Sequence, residues 1–175
     1  RGSVDHLRAL LQRTRMHTGR VVLSPGDCNV RALFEQIIRE PPHTDALRIE
    51  IDRCDDAPLY CDPSHVREAL TNLVGNAVEA MRGSGRITLS YVRTAHKASI
   101  SVCDDGPGMT PAAQKRIFEP YYTTKTSGEN FGLGLYYCQN VMNVHEGSIR
   151  VSSAPGKGCT FTLIFPLAAQ GRRKP

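Results

Sequence analysis

Apolar and polar positions along the chain follow two different periods, and the changes between them mark the elements. Val4, Leu7, Leu10 and Leu11 recur at helical spacing until Thr18-Gly19-Arg20 and Ser24-Pro25-Gly26 break the pattern. That short stripe reads as the end of a longer helix, packed on its own domain or on a second chain. From Asn29, placed as an N-cap, Val30, Leu33, Phe34, Ile37 and Ile38 form one buried face, and Pro41-Pro42 stops the helix. Leu47 to Ile51 alternates as a strand, and Leu59-Tyr60-Cys61 forms another short one. A long helix is predicted from Pro63 to about Arg82, with Asp62 as N-cap, Pro63 in its first turn and Gly83 past its end. Arg86 to Arg93 and Lys97 to Asp104 read as an antiparallel pair. Ile149 to Ser153 and Cys159 to Pro166 read as a second, joined through Pro155-Gly156-Lys157-Gly158. A helix from about Leu133 to His145 precedes that second pair. Helices mixed with locally paired strands predict an α+β fold, a two-layer sandwich with the helices on one face of a mixed, mostly antiparallel sheet.

Composition narrows this picture without redirecting it. At 175 residues the chain holds one domain with a proper core. With 40% hydrophobic and 22% charged residues it is ordinary for a globular protein, and no segment reaches the apolar length that spans a bilayer. The net charge of +5 is densest at Arg8 to Arg20 and in Gly171-Arg172-Arg173-Lys174, which reads as solvated ends rather than a nucleic-acid surface. The six cysteines show neither a Cys-x-x-Cys pair nor zinc spacing, so reduced thiols in a cytosolic protein are expected. No signal peptide stands at the start.

The chemistry-bearing residues fall in three places. The apolar run Ala98 to Val102 delivers the carboxylate of Asp104, and Gly106 and Gly108 then let the backbone turn closely past a flat ligand. Gly132 and Gly134 open a helix whose positive dipole end suits a polyphosphate. On the long helix Glu68, Asn72, Asn76 and Glu79 fall at steps of four, four and three, along one side. Asparagine is a poor helix former, whereas an amide oxygen ligates magnesium beside phosphates without adding negative charge. Glu68 is suited to orienting or deprotonating a water, to holding Asn72, or to nothing beyond solvation. A calcium loop is excluded by Pro107 and Met109, which supply no oxygen ligands at alternate positions, and the Walker and dinucleotide fingerprints are absent.

Taken together these motifs resemble the sensor histidine kinases of the GHKL group. Glu68-x-x-x-Asn72-x-x-x-Asn76 resembles their N box, Asp104-x-Gly106-x-Gly108 the G1 box, and Ile117-Phe118-Glu119-Pro120-Tyr121-Tyr122 the F box. Gly132-Leu133-Gly134-Leu135 resembles the G2 box, and Gly156-Lys157-Gly158-Cys159-Thr160-Phe161 the closing Gly-Thr-rich box. The resemblance covers roughly Asn29 to Pro166 and implies the Bergerat ATP-binding fold. It implies that Asp104 accepts from the adenine amino group and that Asn76 is the principal magnesium ligand, with Asn72 near the phosphates. It assigns the catalytic roles to Glu68 and Asn72 and implies that Gly132, Leu133, Gly134 and Leu135 lie under the polyphosphate. It also implies that Thr124 and Lys125 add a hydroxyl and a cation to the phosphate charge and that Thr160 fixes the adenine carboxylate. Three departures stand out: Asn130 replaces a lid glycine, Cys159 a frequent threonine, and Glu79-Ala80 a Lys-Tyr pair in a nitrogen-regulatory-like variant.

The resemblance further implies ATP and Mg2+ as cofactors and transfer of the γ-phosphoryl group to a histidine, then to a response-regulator aspartate. No histidine here has the acceptor context, and His6 reads as a surface residue, so the acceptor is expected on a dimerisation domain outside this chain. The expected division is 1–25 as the end of that dimerisation helix plus linker, 26–168 as the catalytic and ATP-binding domain, and 169–175 as a basic tail. A homodimeric full-length protein in the cytoplasm, or the cytoplasmic part of a membrane-bound sensor, is expected. Residues 125–131 are expected to close over the triphosphate as a short lid. The alternatives are another GHKL ATPase of topoisomerase or repair type, and a nucleotide-binding interaction module without catalysis.

Overall fold

The computed structural model describes residues 23–40, 46–123 and 132–167. In chain order these form β1 (Gly26–Cys28), α1 (Val30–Arg39), β2 (Leu47–Cys54), β3 (Leu59–Cys61), α2 (Pro63–Ala80), β4 (Gly85–Arg93) and β5 (Lys97–Asp104). There follow α3 (Pro111–Arg116), α4 (Gly134–Val144), β6 (Ser148–Ser153) and β7 (Cys159–Pro166). The first helix, the lid, the tail and the sites expected at Thr124 and Lys125 lie outside the described residues.

Local chemistry starts the helices where the sequence predicts. The Asn29 side chain accepts from Ala32 N–H at 3.0 Å and starts α1. Asp62 Oδ1 accepts from Ser64 N–H at 3.0 Å and His65 N–H at 3.2 Å to start α2. Its Oδ2 takes Ser24 N–H at 2.8 Å, and its own N–H donates to His145 Nε2 at 2.9 Å, so one residue ties α2 to the incoming chain and to the end of α4. Burial works to raise the Asp62 carboxyl, but the N–H groups of Ser24, His65 and Ser64 and the nearby His65 outweigh it and hold it below the usual range. Asp62→Ala is expected to cost about 1–2 kcal/mol in urea unfolding at neutral pH. Because the folded carboxyl is depressed, this contribution is present above the unfolded pKa of about 3.9 and disappears as the pH falls through the lower folded value.

The main sheet has the order β2-β4-β5-β7-β6, with β2 and β4 parallel and the other pairs antiparallel. β1 and β3 form a separate antiparallel ribbon. Alternation puts Ile87, Leu89, Ala98, Ile100, Val102, Phe161, Leu163 and Phe165 on the buried face, against Val66, Ala69, Leu70 and Leu73 of α2 and Cys138, Val141 and Met142 of α4. Each fully buried Leu, Ile, Val or Phe contributes roughly 1.5–3 kcal/mol. The other face carries Ser101 and Thr162, whose hydroxyls meet at 3.1 Å. Helices on one face of a mixed, mostly antiparallel sheet are the architecture expected from the sequence. β2 runs on to Cys54 past a bulge between Ile51 and Arg53. β1 and α3 are additions to the expected elements.

Candidate nucleotide site

The last residue of β5 is Asp104, on the buried face of the sheet and only 7% exposed. Its Oδ1 accepts from Gly106 N–H at 2.9 Å. Burial pushes its carboxyl above the usual aspartate range, the Gly106 and Cys159 backbone N–H groups oppose that, and neighbouring Asp105 adds to the rise. A buried acid at a strand end, with one oxygen already fixed, is an acceptor prepared for an uncharged N–H donor. Beside it Gly106 leaves no room for a side chain, since a Cβ would meet Asp104 Oδ1 at 2.8 Å and Met81 Cγ at 2.9 Å.

The loop after Asp104 is anchored to the β6–β7 turn. Gly156 N–H donates to Pro107 O at 2.7 Å, and Met109 N–H to Ser153 Oγ at 2.8 Å. The Ser153 hydroxyl in turn donates to Gly158 O at 2.7 Å, and Gln114 Nε2 bridges Met109 O and Ser153 O at 3.1 and 2.9 Å. Gly108 sits within this junction.

On α2, Asn72 Nδ2 donates to Glu68 O at 2.9 Å, one turn back. Its amide oxygen therefore turns outward, to where a Cβ on Gly134 would meet it at 3.1 Å. Gly134 is the first residue of α4, and Leu133 at the N-cap provides no side-chain cap. The half-buried Asn76 lies one turn further along α2. Gly132 packs against the Tyr121–Tyr122 backbone, with Tyr121 N–H donating to Gly132 O at 3.1 Å, and Leu135 is half-buried behind them. Arg116 lies 4.5 Å over the Tyr122 ring and pairs with Glu119 at 3.1 Å, which steadies the Phe118–Tyr122 stretch. The structure thus brings together Asp104 with Gly106 and Gly108, and Asn72 with Gly134.

Residues 61–169 match the family of histidine kinase-, DNA gyrase B- and HSP90-like ATPases. The chain belongs to this family. AtoS, a signal transduction histidine-protein kinase of Escherichia coli strain K12, is 41% identical over 118 residues, covering 67% of this chain and 19% of its own length. The adaptive-response sensory kinase SasA of Rippkaea orientalis is 32% identical over 165 residues, covering 90% of this chain and 42% of its own. The nucleotide-free catalytic domain of the histidine kinase ThkA superposes with a TM-score of 0.70 at 27% identity, over 82% of this chain and 96% of that one. Full-length ShkA in complex with AMPPNP shares the fold, with a TM-score of 0.79 at 24% identity over 94% of this chain and 36% of that one. The chain spans less than half the length of these curated relatives. It is an ATP-binding catalytic domain of the sensor histidine kinase type.

In this histidine-kinase-type domain one expectation needs correction. Thr160 pairs with Cys103 on the outer face of the sheet, whereas Cys159 stands opposite Asp104 on the inner face. No Thr160 hydroxyl reaches the Asp104 carboxylate, because neighbouring strand residues point to opposite faces. The residue beside the carboxylate is a thiol, and burial first, then the Asp104 charge, pushes it up to about 12, so it stays uncharged. Glu79, two turns beyond Asn72 on the same side of α2, also borders a groove of about 430 Å3 with Ile37, Ile49, Val74 and Val78. Three further residues at the site carry no motif in the sequence: Met81 beneath Gly106, Ser153 at the junction, and Tyr137, which bonds Glu68. Among the described residues no cluster of His, Cys, Asp and Glu is built to hold a metal, and no helix is long and apolar enough to cross a membrane.

Proposed function

We propose that this domain binds Mg-ATP and transfers its γ-phosphoryl group to a histidine on a dimerisation domain outside this chain, from which a response-regulator aspartate takes it. The observation that carries the reading is the buried Asp104 acceptor at the end of β5, with Asn72 of α2 seated against Gly134 at the start of α4 in the same domain. Asp104 would accept from the adenine amino group, with Gly106 and Gly108 letting the base lie against the backbone. Gly132, Leu133, Gly134 and Leu135 would place helix amides under the polyphosphate. The amide oxygen of Asn76 suits a hard dication and would hold Mg2+, with Asn72 near the phosphates. Such an ion, when bound, supplies neutralisation of phosphate charge. Thr124 and Lys125 are proposed to add a hydroxyl and a cation at the same end. The protein's part in the reaction is positioning, exclusion of water and charge compensation. A homodimeric kinase working in the cytoplasm is the setting proposed for it.

Calorimetric titration with an unhydrolysable ATP analogue, with and without magnesium, tests this. Asn76→Ala is expected to remove most of the magnesium-dependent gain in affinity, about tenfold or 1.4 kcal/mol, and to leave magnesium-free binding within about twofold. Equal losses with and without the ion would reject the metal role of Asn76. Binding without phosphorylation of a restored acceptor domain would instead favour a nucleotide-gated interaction module.

A further inference from the structure

Glu68 lies one turn before Asn72 on α2, and its carboxylate is committed within the fold. Oε2 accepts from the Tyr137 phenol at 2.7 Å, across 69 residues of sequence. Tyr137 is 6% exposed and stands in the first turn of α4, where its backbone N–H bonds Leu133 O at 2.8 Å. Since the single phenolic proton goes to Glu68, the contact between Tyr137 Oη and His65 Nδ1 at 3.3 Å runs from the imidazole N–H to the phenol oxygen. Burial first, and then the hydrogen bond to Glu68, push the phenol far above the ordinary tyrosine range, so it remains a donor at neutral pH.

The same residue also fixes Asn72. Glu68 O takes Asn72 Nδ2 at 2.9 Å, which turns Asn72 Oδ1 towards Gly134. Through its carbonyl Glu68 sets the amide of α2, and through its carboxylate it sets the first turn of α4. Those are the two groups whose spacing defines the phosphate end of the site. A charge-assisted bond between two helices that already pack closely fixes that spacing more tightly than apolar contact does.

We infer that Tyr137 is a positioning residue for phosphoryl transfer, and that Glu68 serves as its acceptor rather than as a base, the pair setting the spacing of Asn72 against the start of α4. This rests on the reading of the site as a kinase's Mg-ATP cleft. Adenine recognition lies at Asp104, so the pair governs turnover rather than nucleotide affinity.

The test uses the full-length protein that carries this domain, with phosphohistidine formation from radiolabelled ATP, ADP binding and thermal unfolding measured side by side. Tyr137→Phe keeps the ring and removes the donor. It is expected to lower kcat by about ten- to thirtyfold while KM and the ADP Kd stay within about twofold. Glu68→Ala is expected to fall as far, and the double variant no further than either single one. Glu68→Gln retains an oxygen that accepts from the phenol and is expected to stay within about threefold of wild type. Glu68→Gln as impaired as Glu68→Ala would overturn the assignment in favour of a base. An unchanged kcat in Tyr137→Phe would overturn it too, as would parallel losses in KM, ADP binding and melting temperature. Wild-type protein that neither binds ADP nor forms phosphohistidine would overturn the kinase reading and this assignment with it. Where wild type does both, a failure among the variants counts against the pair alone and leaves the kinase reading standing.

Discussion

Asp104→Asn is expected to weaken ATP binding roughly ten- to a hundredfold while making the nucleotide-free domain more stable. The first half follows from the acceptor. A carboxylate facing an exocyclic amine makes a charge-assisted bond worth roughly 1.5–3 kcal/mol, and an amide of the same shape makes at best a neutral one. The second half follows from burial. Asp104 is 7% exposed, and desolvation outweighs the Gly106 and Cys159 N–H groups to leave its carboxyl above the usual aspartate range. With the folded pKa above the unfolded one, the folded chain binds more protons between the two values, so stability falls as pH rises through that window and the deficit is complete at neutral pH. Asparagine removes this deficit and keeps an oxygen for Gly106 N–H. Scanning calorimetry without nucleotide should therefore show the variant melting higher at pH 7, with wild type recovering towards it as the pH is lowered. Calorimetric titration supplies the affinity, and equal affinities for the two proteins would remove Asp104 from adenine recognition.

The parts of this site that were legible in the sequence are those fixed by local chemistry. Asn29 and Asp62-Pro63 announce their helices because a cap is a contact within three residues. The β4–β5 and β6–β7 pairs were legible because alternation and a short turn fix both strands at once. Thr110-Pro111 carries the same signature as Asp62-Pro63, and Thr110 Oγ1 does accept from Ala113 N–H at 3.2 Å, but the six residues that follow bury nothing and show no apolar period. β1 exists only because β3 pairs with it, and three residues of Gly-Asp-Cys carry no strand signal alone. Placing Thr160 at the Asp104 carboxylate overlooked a signal that was present: Cys159, Phe161, Leu163 and Phe165 alternate as one apolar face, which puts Thr160 on the other. Tyr137 had no such signal, because only the packing of α4 on α2 brings its phenol to Glu68.

The junction behind Asp104 carries the largest expected loss of stability. Gly158 has φ +71°, and a Cβ there would stand 2.0 Å from the Asp104 carbonyl oxygen and 3.1 Å from Asp105 Cα. Gly108 mirrors it from the other side, with φ +68° and a Cβ position 2.0 Å from Ala154 O. Two backbone segments therefore pass each other at a distance that only hydrogen atoms allow, and neither neighbour is a flexible side chain that moves aside. Gly158→Ala must bear left-handed strain of about 1–2 kcal/mol and an overpacking cost of about 1–3 kcal/mol, roughly 2–5 kcal/mol together. Domains of this kind are held by only about 5–15 kcal/mol, so much of the margin goes. Gly156→Ala is the control, since its φ of +73° brings the same strain while nothing lies within 4 Å of the added carbon. Urea unfolding should show Gly156→Ala losing about 1–2 kcal/mol and Gly158→Ala clearly more, at equal m values. Equal losses would mean that the β6–β7 turn swings clear of Asp104 without penalty, and the carboxylate would then owe its position to β5 alone. The expected inequality instead makes the closing glycine-rich turn a backstop for Asp104. On that account, surviving Gly158→Ala protein should also bind ATP more weakly, because relief of the clash moves the backbone that carries Asp104.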